Sequence, residues 1–336
     1  MNVNQQFIPM RLLTVSALLR HLPEEHPKFS IVESDFIKRQ AGWRGEQKLS
    51  YYLDALPQQF HCLYNLRLSA HIQTPFEIDA LIISPFALYI VESKNYFGTI
   101  YFDSVFNQFI RLKGEHQEGF PNPLVQATRH KDRLAAWLSF RHLVCPPIQC
   151  LISIANTETL IKASSKDNEI GRMVCHAEQL VAKIIKNAQS YTQQLLDATQ
   201  LYKLEKLLLS DHTEPETDVL AQYSISAADL LYGVQCSRCR CFTMKRIARS
   251  WKCNRCGHAD PAAANQMMLD YFLLFGKTMT NSQCRNFLKV PSRHVVARIR
   301  KQMGLEIGGS GCGIGLHYLM PNHQYFHQNY QLWRKQ

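Results

Sequence analysis

The sequence predicts an α/β protein whose mixed central sheet is flanked by helices, with a smaller part of different character at the C-terminus. Three observations carry this. The runs HCLYNLRL, FEIDALIIS, FALYIVESK and IQCLISI are rich in β-branched, leucine and aromatic residues, as strands are. Segments of helical spacing lie between and around them, so strands and helices alternate. The last third differs in charge and cysteine content. From Cys236 onward there are 16 Lys+Arg against three acids, Asp260, Asp270 and Glu306, whereas the preceding residues carry 22 against 24.

In chain order, residues 1–40 read as helical with a break at LPEEHPKF, and 42–56 as a second helix whose Leu49, Tyr52 and Leu53 face a core. The strand runs follow, with FGTIYFD continuing the sheet and FNQFIRL adding a strand. PNPLVQATRHKDRLAAWLSF opens with proline and runs on as a helix. IQCLISIANTETLI is a buried strand and its exit loop. Helices at roughly 176–190 and 192–209 lead to the polar linker SDHTEPETD, and a short helix is expected near 217–232. The expected domains are 1–210 (core motifs 40–160), a linker with a short helix over 211–232, a ribbon over 233–260, and a basic helical part over 265–336.

A chain of 336 residues is long enough for two or three domains. MNVNQQFIPMRLLTVSALLRHLPEEH lacks the basic flank, apolar run and cleavage site of a signal peptide, and is expected to form an amphipathic helix. No apolar run approaches the roughly 20 residues of a membrane span. A cytoplasmic protein is the expectation. Cys62, Cys145, Cys150 and Cys175 are scattered and read as small core residues, while five of the other seven cysteines crowd into 236–256, a metal-binding pattern.

Asp79 in FEIDALII and Glu92 and Lys94 in ALYIVESKNY form the sharpest local signal. Side chains alternate along a strand, so Glu92 and Lys94 share a face. If Ser84-Pro85-Phe86-Ala87 closes a hairpin, Asp79 falls opposite Glu92. Two carboxylates supply hard oxygen ligands for Mg²⁺ (or Mn²⁺), and Lys94 can orient or deprotonate a water or offset phosphate charge. Glu46, on the upstream helix, can add a ligand. A D…ExK pattern also arises on exposed sheet faces. Here Ile78, Leu81, Ile82, Ile83, Leu88, Ile90 and Val91 make both strands apolar on both faces, where an unpaired charge is costly.

The strings RQAGWRGEQKLSYYL, FEIDALIISPFALYIVESKNYFGTIYFD and GFPNPLVQATRHKDRL together resemble the nuclease-related domain (NERD) family, over about residues 35–160. The resemblance implies a restriction-endonuclease-like fold of the PD-(D/E)XK superfamily. Glu46 then matches the helical glutamate, Asp79 the strand aspartate, Glu92 and Lys94 the ExK pair, and Gln126 a polar residue of the following helix. Gln126 is equally readable as a cap near the helix start. Gly42 and Gly45 read as permitting a tight helix entry, and His130 as a surface helix residue.

Cys236-x2-Cys239 and Cys253-x2-Cys256 are two knuckles that can complete a tetrahedral structural Zn²⁺ site, as in a zinc ribbon. Cys241 and His258 are read as non-ligands, and Trp251 as ribbon core. Arg238, Arg240, Lys245, Arg246 and Arg249 suit phosphates. Beyond the ribbon, Asn281–Leu288 reads as a helix, Val290-Pro291 as a turn and Ser292 as the N-cap of a helix over 293–303. A glycine-rich turn (308–313) then joins two extended runs. This order resembles a winged helix-turn-helix, with Arg293, His294 and Arg298 placed to contact DNA, or else a plain helical cap on the ribbon.

The expected function is a Mg²⁺-dependent nuclease acting on DNA, targeted by the basic tail. The alternatives are a non-catalytic nucleic-acid-binding protein and a zinc-dependent DNA-binding regulator. A homodimer is a further expectation, because duplex cutters often need two active sites. No membrane partner is expected.

Overall fold

The computed structural model describes residues 7–69, 75–164, 168–215, 218–309 and 315–334. The chain divides into two compact units, Gln40–Glu214 and Phe7–Arg39 with Pro215–Gln336. Two helices open the chain, α1 (Met10–His21) and α2 (Phe29–Leu53), with the expected break between them at the prolines. The division falls within α2, after Arg39.

In the first unit, β1 (His61–Leu68), β2 (Phe76–Ile83) and β3 (Leu88–Lys94) form an antiparallel meander. Ser84 closes the β2–β3 turn, its hydroxyl accepting from the Phe86 and Ala87 N–H groups and its own N–H donating to the Ala87 carbonyl. Three further strands follow, β4 (Thr99–Asp103), β5 (Gln108–Lys113) and β6 (His116–Phe120), then α3 (Pro123–Phe140). The remaining elements are β7 (Ile148–Ile154), β8 (Leu160–Ala163), α4 (Asn168–Met173), β9 (Val174–His176), α5 (Leu180–Ala188) and α6 (Ala198–Ser210). The main sheet runs β1-β2-β3-β7-β9, with β7 parallel to β3 and β9 parallel to β7.

FGTIYFD does not continue that sheet. Both hydrogen-bonding edges of β3 are already taken, by β2 and by β7, so β4 instead centres a second sheet of order β6-β5-β4-β8. Gly98 (φ +95°) turns the chain there, and a Cβ on it would lie 2.7 Å from the Leu112 carbonyl oxygen. Gly42 and Gly45 do not start a helix either, since α2 passes through both. Gly45 instead lets α2 press on the end of β3: a Cβ there would stand 3.0 Å from Asn95 Cβ and 3.4 Å from Ser93 Oγ. One face of the main sheet packs Leu81, Ile83, Leu88 and Ile90 against Leu134, Trp137 and Leu138 of α3 and Leu201, Leu204 and Leu208 of α6. The other packs Ala80, Ile82, Tyr89 and Val91 against Leu49 and Leu53 of α2 and Leu180 and Ile184 of α5. Cys62, Cys150 and Cys175 are buried as expected, but Cys145 is exposed.

The second unit contains α1, the start of α2 and α7 (Val219–Tyr223). A three-stranded sheet follows, β10 (Met244–Ile247), β11 (Ser250–Cys253) and β12 (Ala259–Asp260). Next come α8 (Ala263–Phe275), β13 (Thr278–Thr280), α9 (Asn281–Leu288), α10 (Arg293–Met303), β14 (Ile307–Gly308), β15 (His317–Leu319) and α11 (His323–Asn329). The last three strands pair in the order β13-β15-β14. Residues 310–313 of the expected glycine-rich turn lie outside the described residues. Ser292 precedes α10 as expected but makes no side-chain cap bond.

Residues 7–39, expected with the first domain, group with the C-terminal part instead. The reason is a buried charge. Asp270 on α8 is fully buried, and α1 supplies its counter-charge, Arg20 Nε at 3.0 Å, while His21 Nε2 stands 3.2 Å away. Tyr330 adds a hydroxyl at 2.6 Å. Without these partners a carboxylate in that interior would cost several kcal/mol, on the order of 3–5.

Candidate active site and metal centre

Glu92 lies at the carboxyl end of β3 with no exposed surface. Among the described residues, its hydrogen-bond and ion-pair partners come from two elements, α3 and β3. From α3, Gln126 Nε2 donates to Glu92 Oε2 at 2.7 Å, and His130 Nδ1 stands 2.7 Å from Oε1. From β3 itself, Lys94 Nζ lies 3.5 Å from Oε2. Lys94 also donates to Gln126 Oε1 at 3.1 Å. The Gln126 amide thus bridges an anion and a cation, and only this orientation puts its NH₂ on the carboxylate and its oxygen on the ammonium. Neither reading of Gln126 as a cap nor of His130 as a surface residue survives: Asn122 caps α3, and His130 is 6% exposed. The periodicity of α3 held the signal, because Gln126 and His130 are four apart and so share a helix face.

Asp79 completes the group. The β2–β3 register ends at Ala80↔Val91, and its continuation sets Asp79 level with Glu92. The Ser93 N–H donates to Asp79 Oδ2 at 2.7 Å. Burial, then the charges of Glu92 and Glu46, hold the Asp79 carboxyl well above the usual carboxylate range, against the opposing pull of Lys94 and the Ser93 N–H. Burial likewise raises Glu46, with Glu77 and Glu92 adding to it and the Asn65 side chain and Lys94 opposing. Asn65 sits in the left-handed region (φ 50°) on β1. One Glu46 oxygen, Oε2, is buried without a hydrogen-bond partner. Four of the five residues singled out for chemistry, Glu46, Asp79, Glu92 and Lys94, are therefore one electrostatic cluster, and Gln126 ties two of them together.

These residues suit a hard divalent cation. Three carboxylates raise one another's energy, and one of their oxygens is buried and unpartnered; a small cation of charge +2 would relieve both costs.

In the second unit, Cys236, Cys239, Cys253 and Cys256 place their sulfur atoms within 4.8 Å of one another. Cys236 and Cys256 sulfurs are 3.7 Å apart, and those of Cys239 and Cys253 3.5 Å. A tetrahedral Zn²⁺ with bonds of about 2.3 Å sets sulfurs about 3.8 Å apart, so the set has the composition and spacing of a structural zinc site. The Thr243 hydroxyl, 3.2 Å from Cys253 Sγ, helps draw that thiol down to about 6. Cys241 is outside the cluster and accepts from Arg255 Nη1 at 2.6 Å; His258 Nε2 pairs with the Ser237 hydroxyl at 3.2 Å. Trp251 is buried, as expected of a ribbon core.

The basic residues divide. Arg238, Lys245 and Arg249 are exposed, as are Arg293, His294 and Arg298 on α10, whose opposite face buries Val296, Ile299 and Met303. Arg246 lies over the Trp251 ring at 5.4 Å, and burial together with the nearby charge of Arg298 lowers its pKa. Arg240 differs from expectation. Its guanidinium donates to the Arg334 carbonyl and lines a cavity of about 420 Å³ with Trp333 and Phe242, so it is committed within the unit.

Residues 41–155 match the family model of the nuclease-related domain. The matched segment runs from Ala41 in α2 to the end of β7 and holds Glu46, Asp79, Glu92, Lys94 and Gln126. Comparisons with curated proteins and with solved structures returned no match. Among the described residues no helix is long and apolar enough to cross a membrane.

Two outcomes follow. Because the folded chain favours protonated Asp79, it binds more protons than the unfolded chain between the ordinary carboxylate range and the raised value, and stability falls as pH rises through that window. In buffer free of divalent cations, Asp79→Asn should raise the melting temperature at pH 8 by about 2–4 °C, with the gain shrinking toward pH 4. A variant that melts lower than wild type at pH 8 contradicts the mutual repulsion. For the ribbon, metal analysis should find one zinc per chain in wild type and nearly none after Cys239→Ser, with new protease cuts within 236–260.

Proposed function

We propose that the nuclease-related segment is a metal-dependent nuclease that hydrolyses phosphodiester bonds in DNA. The observation that carries this reading is the convergence of Glu46, Asp79, Glu92 and Lys94 at the end of the main sheet where the parallel strands β3 and β7 finish and the antiparallel β2 begins. Clefts beyond the carboxyl ends of strands are where open α/β sheets bind ligands. Asp79 and Glu92, with Glu46, would hold Mg²⁺ or Mn²⁺. Bound there, such a cation supplies acidified water and offsets negative charge on the phosphate. Lys94 would orient the attacking water or take its proton, and its ammonium would lie against the phosphate oxygens. Gln126 would keep Lys94 and Glu92 at a fixed separation through the reaction.

The second unit would supply DNA affinity. Its order α8, β13, α9, α10, β14, β15 with sheet order β13-β15-β14 resembles a winged helix-turn-helix. In that arrangement α10 is the recognition helix, and Arg293, His294 and Arg298 are on its exposed face. Lys245 and Arg246 of the ribbon would extend the surface, since Arg246 and Arg298 are close enough to repel, a cost that a phosphate removes. One observation favours a non-catalytic binding protein instead: both oxygens of Glu92 already accept from the chain's own donors.

Cleavage of labelled single-stranded, duplex and branched DNA with Mg²⁺ or Mn²⁺ separates the two. Wild type should cut, and Asp79→Ala and Lys94→Ala should each lose at least about 100-fold in rate. Zinc-loaded wild type that binds DNA and cuts none of these substrates favours the binding protein.

A further inference from the structure

His130 contacts Glu92 but is not among the residues assigned to chemistry above. The terminal torsion of a glutamate is soft and broad, so one anchor leaves the carboxylate free to swing. Glu92 has anchors on both oxygens. Oε2 is held by Gln126 and Lys94, which also hold each other and so form one linked group. Oε1 is held by His130 at 2.7 Å. A carboxylate only accepts, so Nδ1 carries the proton in this contact.

The imidazole is itself fixed. It sits on α3 one turn beyond Gln126, is 6% exposed, and packs its ring 5.9 Å from that of Phe76 on β2. The second anchor is thus rigid and built from a helix and a strand rather than a loop, which is what accurate placement of a ligand group requires. With both oxygens pinned, the remaining lone pairs of Glu92 point in set directions.

We propose that His130 is a positioning residue that pre-sets Glu92 for capture of the divalent cation; this rests on the metal-dependent reading of the site. Groups that orient a ligating carboxylate in this way are worth 10- to 100-fold in metal affinity. No step of the chemistry above uses it.

The test is calorimetric titration of full-length, zinc-loaded protein with Mn²⁺. His130→Leu fills the ring's space without a donor, whereas His130→Asn puts an amide N–H where Nδ1 stands. His130→Gln moves the donor and serves if the leucine variant misfolds. Mn²⁺ affinity should fall about 10- to 100-fold in His130→Leu or His130→Gln and stay close to wild type in His130→Asn. In the cleavage assay the same loss should fall on kcat at limiting Mn²⁺, with KM for DNA unchanged. Equal Mn²⁺ affinity in wild type and His130→Leu, or an asparagine variant as weak as leucine, overturns the role of His130 alone. Wild type that binds no Mn²⁺ overturns the metal site, and this role with it.

Discussion

A buried anion at the end of β3 is the constraint around which the first unit is arranged. A carboxylate with no access to water is costly unless its lone pairs are satisfied. Glu92 meets that condition with two side chains from α3 and one from its own strand. The position of α3 over the main sheet is therefore fixed by polar contacts as well as by Trp137, Leu134 and Leu138. The hairpin that brings Asp79 level with Glu92 and the parallel pairing of β3 with β7 then set the rest of the site. The second unit contains a comparable device, the fully buried Asp270 held by Arg20 and Tyr330.

Much of this was readable from local pattern. The D…ExK residues stood out because charges interrupted strands apolar on both faces, and the turn at Ser84–Ala87 made their meeting geometric. The cysteine knuckles needed only their spacing. What escaped were features set by partners distant in the chain. Spacing puts His130 on one face of α3 with Gln126, but only the packing of α3 against β3 sets that face on Glu92. That β4 leaves the main sheet depends on β7, more than forty residues later, taking the free edge of β3. The grouping of α1 with the tail depends on Arg20 meeting Asp270, some 250 residues away. Helix α8 is legible in the sequence, since AANQMMLDYFLLF is apolar through most of its length.

The tail's positive charge acquires a more definite form in three dimensions. On α10 it is segregated from a face that buries Val296, Ile299 and Met303, so Arg293, His294 and Arg298 are presented together. Arg246 and Arg298, remote in sequence, feel each other's charge. Arg240 does not join them, because the same residue type that suits phosphates also suits a backbone carbonyl, and here it meets Arg334. Composition locates a basic region; only packing distinguishes the guanidiniums that face outward from those spent on the fold.

The central claim is that three carboxylates and a lysine form a site for a catalytic divalent cation. Anomalous diffraction from crystals soaked in Mn²⁺ tests it most directly. The account predicts a peak within about 2.0–2.3 Å of oxygens of Asp79 and Glu92, with Glu46 bound directly or through water. Crystals that take up Mn²⁺ elsewhere but show no peak at these carboxylates would contradict it.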